Sequence, residues 1–271
     1  DDVLHKYTSA GWNGSASAER YTKTIELHRV KAEMSYSADE YFSLVYDSLA
    51  QSALTQLDDL TGTELEAAET ALFRQAIMES VRATMWLGKT AREEGLNTFD
   101  GFLHRILSDA EEQEIPTEMY ESVSADNADE RLRSVWDNAS EELRNMRSEG
   151  QLAFFVTTDV YGAYEDSLEA ADNEAAYRVR QDGPGSLMFK GIPVIDMKLG
   201  GYLAKYYDLG VSFILLTDRR NLALALNTGD FPGSEVRMWY NPDLMENRQR
   251  AIFMAGCDYL LPELVSLGYA Q

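Results

Sequence analysis

Cysteine occurs once in this chain and histidine three times, and no apolar stretch approaches the ~20 residues that a bilayer-crossing helix needs. The single Cys257 excludes an intrachain disulfide, and its apolar surroundings predict a small buried hydrophobe rather than a reactive thiol. His5, His28 and His104 lie far apart and in no ligand spacing, which argues against a zinc site. The opening Asp1-Asp2-Val3-Leu4-His5-Lys6 has no basic end followed by an apolar core, so no secretory signal is expected. There is no Gly-x-Ser-x-Gly elbow, Walker-type loop or dinucleotide glycine fingerprint, and Gly183-Pro184-Gly185 and Gly200-Gly201 read as turns. Carboxylates are too numerous for any pair to stand out as acid and base. These absences predict no catalytic residue, no metal and no cofactor.

Lysine is scarce as well. Lys accounts for 7 of the 24 basic residues and Arg for 17, against 46 acids, which leaves a formal charge of −22. Such a chain repels nucleic acid and is not expected to bind DNA tightly or sequence-specifically. Acidity with few lysines suits a salt-rich, halophilic setting, where a Debye length of about 3 Å at 1 M salt screens self-repulsion. The charge is uneven. Residues 1–36 hold five acids and five bases, so the whole surplus falls on residues 37–271. Between Asp109 and Glu142 twelve acids meet two arginines, a pattern that reads as solvated connection. Apolar residues are plentiful: 45% of 271 residues is enough for a sizeable core in one or two domains.

Residues 8–18 have only Trp12 with which to build a core, and a lone indole in a Gly/Ser stretch either stays in solvent or anchors in a partner's pocket. From Tyr21 to Tyr36 apolar and polar residues alternate, with a phase shift that predicts a bulge or kink near Arg29. Asp39 to Leu57 has amphipathic helical spacing behind a Ser37 cap. Thr63 and Glu66 form a capping box for a helix of about 28 residues reaching Arg92, roughly 40 Å long. Ile106–Asp129 reads as a polar connection, and a helix starting near Asp126 ends at Gly150. Leu152–Val156 reads as a buried strand and Thr157–Leu168 as a capped helix. Leu187–Asp196 reads as a hairpin that turns at Gly191 and enters an edge strand through Pro193. Val211–Thr217 is a buried-strand pattern, Leu222–Leu226 a short helix or turn, and Glu235–Tyr240 a half-buried strand ended by Asn241-Pro242-Asp243. Arg248–Tyr259 is a further strand.

The succession Phe189-Lys190-Gly191-Ile192-Pro193-Val194, then Leu215-Leu216-Thr217-Asp218-Arg219-Arg220-Asn221-Leu222, then the alternating strand, then Phe253-Met254-Ala255-Gly256-Cys257-Asp258-Tyr259 resembles the C-terminal half of HK97-fold major capsid proteins of tailed double-stranded DNA viruses. Trp86-Leu87-Gly88-Lys89 followed by Thr98-Phe99-Asp100-Gly101-Phe102-Leu103 is similar to the junction after the spine helix in some of these proteins. The helix, Phe154-Phe155-Val156-Thr157-Thr158-Asp159-Val160-Tyr161, helix order is similar to their axial domain.

The resemblance implies an α+β HK97-like capsid fold with an N-terminal arm at 1–20, an extended loop at 21–38, a peripheral domain with the spine helix at 39–129, and an axial domain at 130–271 with returning peripheral strands. It implies a non-enzymatic subunit of an icosahedral shell around packaged DNA. Such a subunit is homo-oligomeric in pentamers and hexamers, has cement or portal proteins as further partners, and has no membrane. Its place is the virion capsid, assembled in the host cytoplasm. Trp12, Tyr21, Lys23, Arg29 and Lys31 are the candidate assembly-interface residues. Two other readings stay open: an encapsulin-like nanocompartment shell protein, and an acidic α+β enzyme or tail-associated structural protein.

Overall fold

Phe213–Asp218 is apolar without alternation, and every residue of it is buried, which requires cover on both faces of its sheet. The computed structural model describes residues 23–37, 61, 64–170, 187–206, 212–227 and 236–270. The expected arm at 1–20, the helix expected over 39–57 and the turn at Gly183-Pro184-Gly185 lie outside them.

Among the described residues ten strands form two sheets. They are β1 (His28–Ser37), β2 (Thr117–Tyr120), β3 (Leu152–Val156), β4 (Met188–Phe189), β5 (Ile192–Asp196), β6 (Phe213–Asp218), β7 (Leu222–Leu226), β8 (Val236–Asn241), β9 (Glu246–Tyr259) and β10 (Val265–Ala270). The six-stranded sheet has the order β2-β10-β6-β3-β5-β4. Its centre is antiparallel, with β6 between β10 and β3, while β2 joins β10 and β5 joins β3 in parallel. In the four-stranded sheet β9 is central, with β1 along one side and β7 and β8 also paired to it.

The helices are α1 (Glu64–Leu87), α2 (Phe102–Asp109), α3 (Ala128–Asn138), α4 (Glu141–Asn145), α5 (Thr158–Ala170) and α6 (Gly200–Tyr206). Alternate residues of β6 serve two cores. Phe213 and Leu215 join Phe73, Ile77 and Trp86 of α1, Phe102, Leu103 and Ile106 of α2, and Phe253, Cys257 and Tyr259 of β9. Ile214 and Leu216 join Leu132 and Val135 of α3, Leu143 of α4 and Val160 of α5. Each such side chain contributes about 1.5–3 kcal/mol of burial, so β6, with its neighbours β3 and β10, ties two groups of helices together. Trp86 stands at the meeting point, with its ring 5.5 Å from Phe102, 5.3 Å from Phe155 and 5.7 Å from Phe213.

Several sequence expectations are corrected. The long helix stops at Leu87 rather than Arg92, giving 24 residues and a length of about 36 Å. It stops because the backbone folds back on itself there. Gly101 N–H donates to Gly88 O at 2.9 Å, and a Cβ on Gly88 would stand 2.2 Å from Phe99 O. Arg92 instead turns its guanidinium back to donate to Leu87 O at 2.8 Å, satisfying a carbonyl at the helix end.

Leu222–Leu226 is a strand, because its alternating Leu and Ala residues follow the two-residue period of a ladder with β9. A 3-10 turn occupies only Arg219–Asn221. β1 pairs with β9 in one unbroken register, so there is no bulge at Arg29; the phase shift falls at Leu27–His28, where the chain enters the ladder. The helix expected to run from Asp126 to Gly150 is two helices. Ala139 is extended, and Ser140 caps the second by accepting from Leu143 N–H at 3.0 Å. Within the expected connection at 106–129 lie the second half of α2, all of β2 and the first two residues of α3. Gly200-Gly201 opens α6 rather than forming a turn. β5 is not the sheet edge along its whole length, since Met188 and Phe189 of β4 pair with Pro193 and Ile192.

The Gly88–Gly101 crossing leaves no space for a side chain, because a Cβ on Gly101 would meet Gly88 N at 2.7 Å. Gly101→Ala is expected to cost about 1–3 kcal/mol through forced backbone displacement. Differential scanning calorimetry should show a lowered unfolding midpoint, and an unchanged midpoint would refute the crossing as a packing constraint.

Candidate assembly surface

β9 organises the surface of the four-stranded sheet through the strand alternation of its side chains. Asn247, Gln249, Ala251, Phe253 and Ala255 point inward and are buried, while Arg248, Arg250, Ile252 and Met254 face outward. Register carries the outward set onto the neighbours. Arg29, Lys31, Glu33 and Ser35 of β1 oppose Met254, Ile252, Arg250 and Arg248, and Arg237 and Trp239 of β8 oppose Arg250 and Arg248.

The outer face therefore carries Arg29, Lys31, Arg237, Arg248 and Arg250 against Glu33 and Glu246. Lys31 pairs with Glu33 at 2.7 Å and Arg248 with Glu246 at 3.3 Å. Arg29, Arg237 and Arg250 have no ion pair among the described residues. Arg250 lies over the Trp239 ring, 5.6 Å from its centroid. A concavity of about 380 Å³ opens here, lined by Glu33, Ser35, Trp239, Arg248 and Arg250.

At the other end of β9 the chain preceding β1 lies flat on the strand. A Cβ on Gly256 would stand 2.1 Å from Glu26 O, so only glycine admits this approach. Lys23 secures the segment: its ammonium donates to Tyr259 O at 2.7 Å, pairs with Asp258 at 2.9 Å and sits 3.8 Å from the centre of the Tyr259 ring. Arg105 reaches the other Asp258 oxygen at 3.6 Å, so this almost fully buried carboxylate has two cations. Burial pushes the neighbouring Cys257 thiol up to about 12, where it stays protonated and donates to Asp100 O at 3.3 Å.

Of the five residues singled out from sequence, Arg29 and Lys31 share the outer face, and Lys23 is engaged by its own subunit. Trp12 and Tyr21 lie outside the described residues. Arg237, Arg248 and Arg250 were not singled out. Their signal was present as the two-residue alternation of the last two long strands, which becomes a charged face only once the register of β8 against β9 is known. A second concavity, of about 450 Å³, lies between β1, α1 and β9 and is lined by Val30, Phe73, Ile77, Val81, Leu96 and Phe253. Among the described residues no group of three or more His, Cys, Asp or Glu side chains is placed to hold a metal ion, and no helix is long and apolar enough to cross a membrane.

No family model matches the chain, and no curated protein matches it. Solved structures do. The satellite phage P4 procapsid including size determination (Sid) protein is matched over 100% of this chain and 86% of that one, at 11% identity and a TM-score of 0.58. A Gordonia phage Cozz structure is matched over 99% and 80%, at 15% identity and 0.52. The capsid of Myoviridae phage XM1 is matched over 95% and 82%, at 11% identity and 0.50. The chain has the fold of these tailed-phage structures, an HK97-like α+β capsid fold extending across nearly its whole length.

Proposed function

We propose that this chain is a major capsid protein, a subunit that assembles with its own copies into a closed icosahedral shell around packaged double-stranded DNA. The observation that carries this reading is the end-to-end match to the satellite phage procapsid structure, which accounts for the whole chain with one architecture. The physical reasoning is mechanical. A shell needs a subunit whose body keeps its shape while its edges make many weak, repeated contacts, since multivalent closure makes a durable lattice from modest interfaces. The body has two cores bound to one central strand, and the formal charge of −22 disfavours tight grip on DNA, so the genome is held by confinement.

In this reading residues 1–20 are an N-terminal arm and 21–38 an extended loop. Residues 39–129 make the peripheral domain with α1 as spine, and 130–271 the axial domain with strands returning to the peripheral sheet. β2 is assigned to the axial sheet through its pairing with β10. Subunits form pentamers and hexamers in the virion capsid after assembly in the host cytoplasm, and cement or portal proteins complete the particle. Trp12 and Tyr21 dock on a neighbouring copy. Lys23, bound to Asp258 and Tyr259, marks where the arm leaves its own body. The acidic, lysine-poor surface fits a subunit that works in concentrated salt.

Three outcomes are expected. Deleting residues 1–20 leaves a folded subunit that forms few or fragile shells by negative-stain electron microscopy, and normal particles would remove the arm from assembly. Particles formed in molar salt lose stability in millimolar salt when followed by light scattering; equal stability in both would end the halophilic reading. Lys23→Ala, which leaves buried Asp258 with Arg105 alone, lowers subunit stability by about 1–3 kcal/mol in urea titration, since a buried acceptor loses a charged donor.

A further inference from the structure

The outer face of the four-stranded sheet runs against the composition of the chain. Five cations, Arg29, Lys31, Arg237, Arg248 and Arg250, stand there against Glu33 and Glu246, on a chain of formal charge −22. Arg237 and Arg250 are direct cross-strand neighbours, an arrangement in which like charges repel. Neither has an ion pair among the described residues: Glu33 opposes Arg250 from β1 but pairs with Lys31, and the Arg250 guanidinium lies over the Trp239 ring. An isolated subunit gains nothing from this arrangement. A negatively charged group seated in the adjoining concavity, between Arg248, Arg250 and Trp239, would relieve it.

The same chain has such groups at the far end of β9. There the Tyr259 hydroxyl donates to Asp109 at 2.6 Å, at the start of a loop that carries Glu111, Glu112 and Glu114. All three glutamates are exposed and without an ion pair among the described residues. The loop is fixed at both ends: Gln113 N–H donates to Asp109 O at 2.8 Å, Ile115 N–H donates to Ala110 O at 3.0 Å, and Ile115 is buried. Arg250 and Tyr259 belong to one strand and are separated along it by about 30 Å at ~3.3 Å per residue. One subunit therefore cannot bring its own glutamate loop onto its own arginines, but a second copy can. A contact between two different patches is heterologous, and repeated head to tail it makes a ring when the rotation between copies closes.

We propose that the outer face of this sheet is the docking surface for the Glu111–Glu114 loop of a second copy of the chain, whose carboxylates pair with Arg237, Arg248 and Arg250. The proposal rests on the chain being a self-assembling shell subunit, and it names which surfaces of that subunit meet.

Charge exchange tests it, at the lowest salt concentration at which the wild-type chain still forms shells, because salt screens such ion pairs. Arg237→Glu with Arg250→Glu, and separately Glu111→Lys with Glu112→Lys and Glu114→Lys, are each expected to raise the protein concentration needed for shells by at least about tenfold. Combining the two sets in one chain should bring that concentration back to within about threefold of wild type. Circular dichroism of the unassembled variants checks that the subunit still folds. If the reversed pair does not fold, Arg237→Gln with Arg250→Gln replaces it, with a smaller rise expected. Wild-type assembly by the arginine variants overturns the proposal, and so does a combined variant that fails to recover. Wild-type assembly accompanied by lost retention of a defined DNA duplex on a filter overturns it in favour of a polyanion site. Failure of the wild-type chain to assemble at all refutes the capsid reading, and this inference falls with it.

Discussion

β6 is the constraint on which the structure depends. Its sheet has helices and a second sheet against one face and three helices against the other, so every residue from Phe213 to Asp218 is buried. A polar side chain anywhere in Phe213–Leu216 would have to find a hydrogen-bond partner inside one of two dry cores. The strand meets this demand with Phe, Ile and two Leu, and turns polar only at Thr217 and Asp218, where partners exist. Thr217 donates to Leu264 O at 2.6 Å, and Asp218 accepts from Arg220, whose guanidinium holds its carboxyl below the ordinary carboxylate range. Asn221 then ties this end to the chain leaving β9, accepting from Leu261 N–H at 2.8 Å and donating to Leu261 O at 3.0 Å. The motif that follows the apolar run is thus the polar closure of the central strand.

The second sheet works the other way: one face is committed, and among the described residues the other is exposed beside β8. Its inner residues share a core with α1 and α2, and its outer residues are left to charge. Because β9 is long enough to hold β8 along one half and β7 along the other, its two ends differ in character. Cations gather where β8 lies alongside, and buried carboxylate chemistry with Asp258 and Tyr259 gathers where Lys23 crosses.

Much of this was legible in sequence where the signal was local. The unbroken apolar run announced β6, the Gly191 turn announced the β4–β5 hairpin, and period-two spacing announced β8 and β9. Gly150, with φ of 71°, is the left-handed cap of the 3-10 turn Met146–Glu149 that follows α4. What local spacing could not supply was anything decided by a distant partner. The long helix was expected to run on to Arg92, yet it ends at Leu87 because Gly101 brings its backbone against Gly88 from thirteen residues further along the chain. Leu222–Leu226 is short enough to read either way until β9 offers it a ladder. β2 hid in an acid-rich stretch because its one buried residue is Tyr120, and α2 shows only a narrow buried stripe of Phe102, Leu103 and Ile106. The outer arginine face was invisible for the same reason: its members come from β1 near one end of the chain and from the β8–β9 pair near the other, and register unites them.

The way the chain enters β1 also decides how tension is borne. Lys23 and the Glu26–Gly256 contact continue the antiparallel path of β1 past the last ladder rung, so a pull along that axis reaches ten register pairs together. Loaded in shear, those rungs must yield at once, whereas a strand peeled from one end surrenders its bonds singly. A strap placed ahead of the first rung thus lets the ladder share a load instead of passing it from bond to bond.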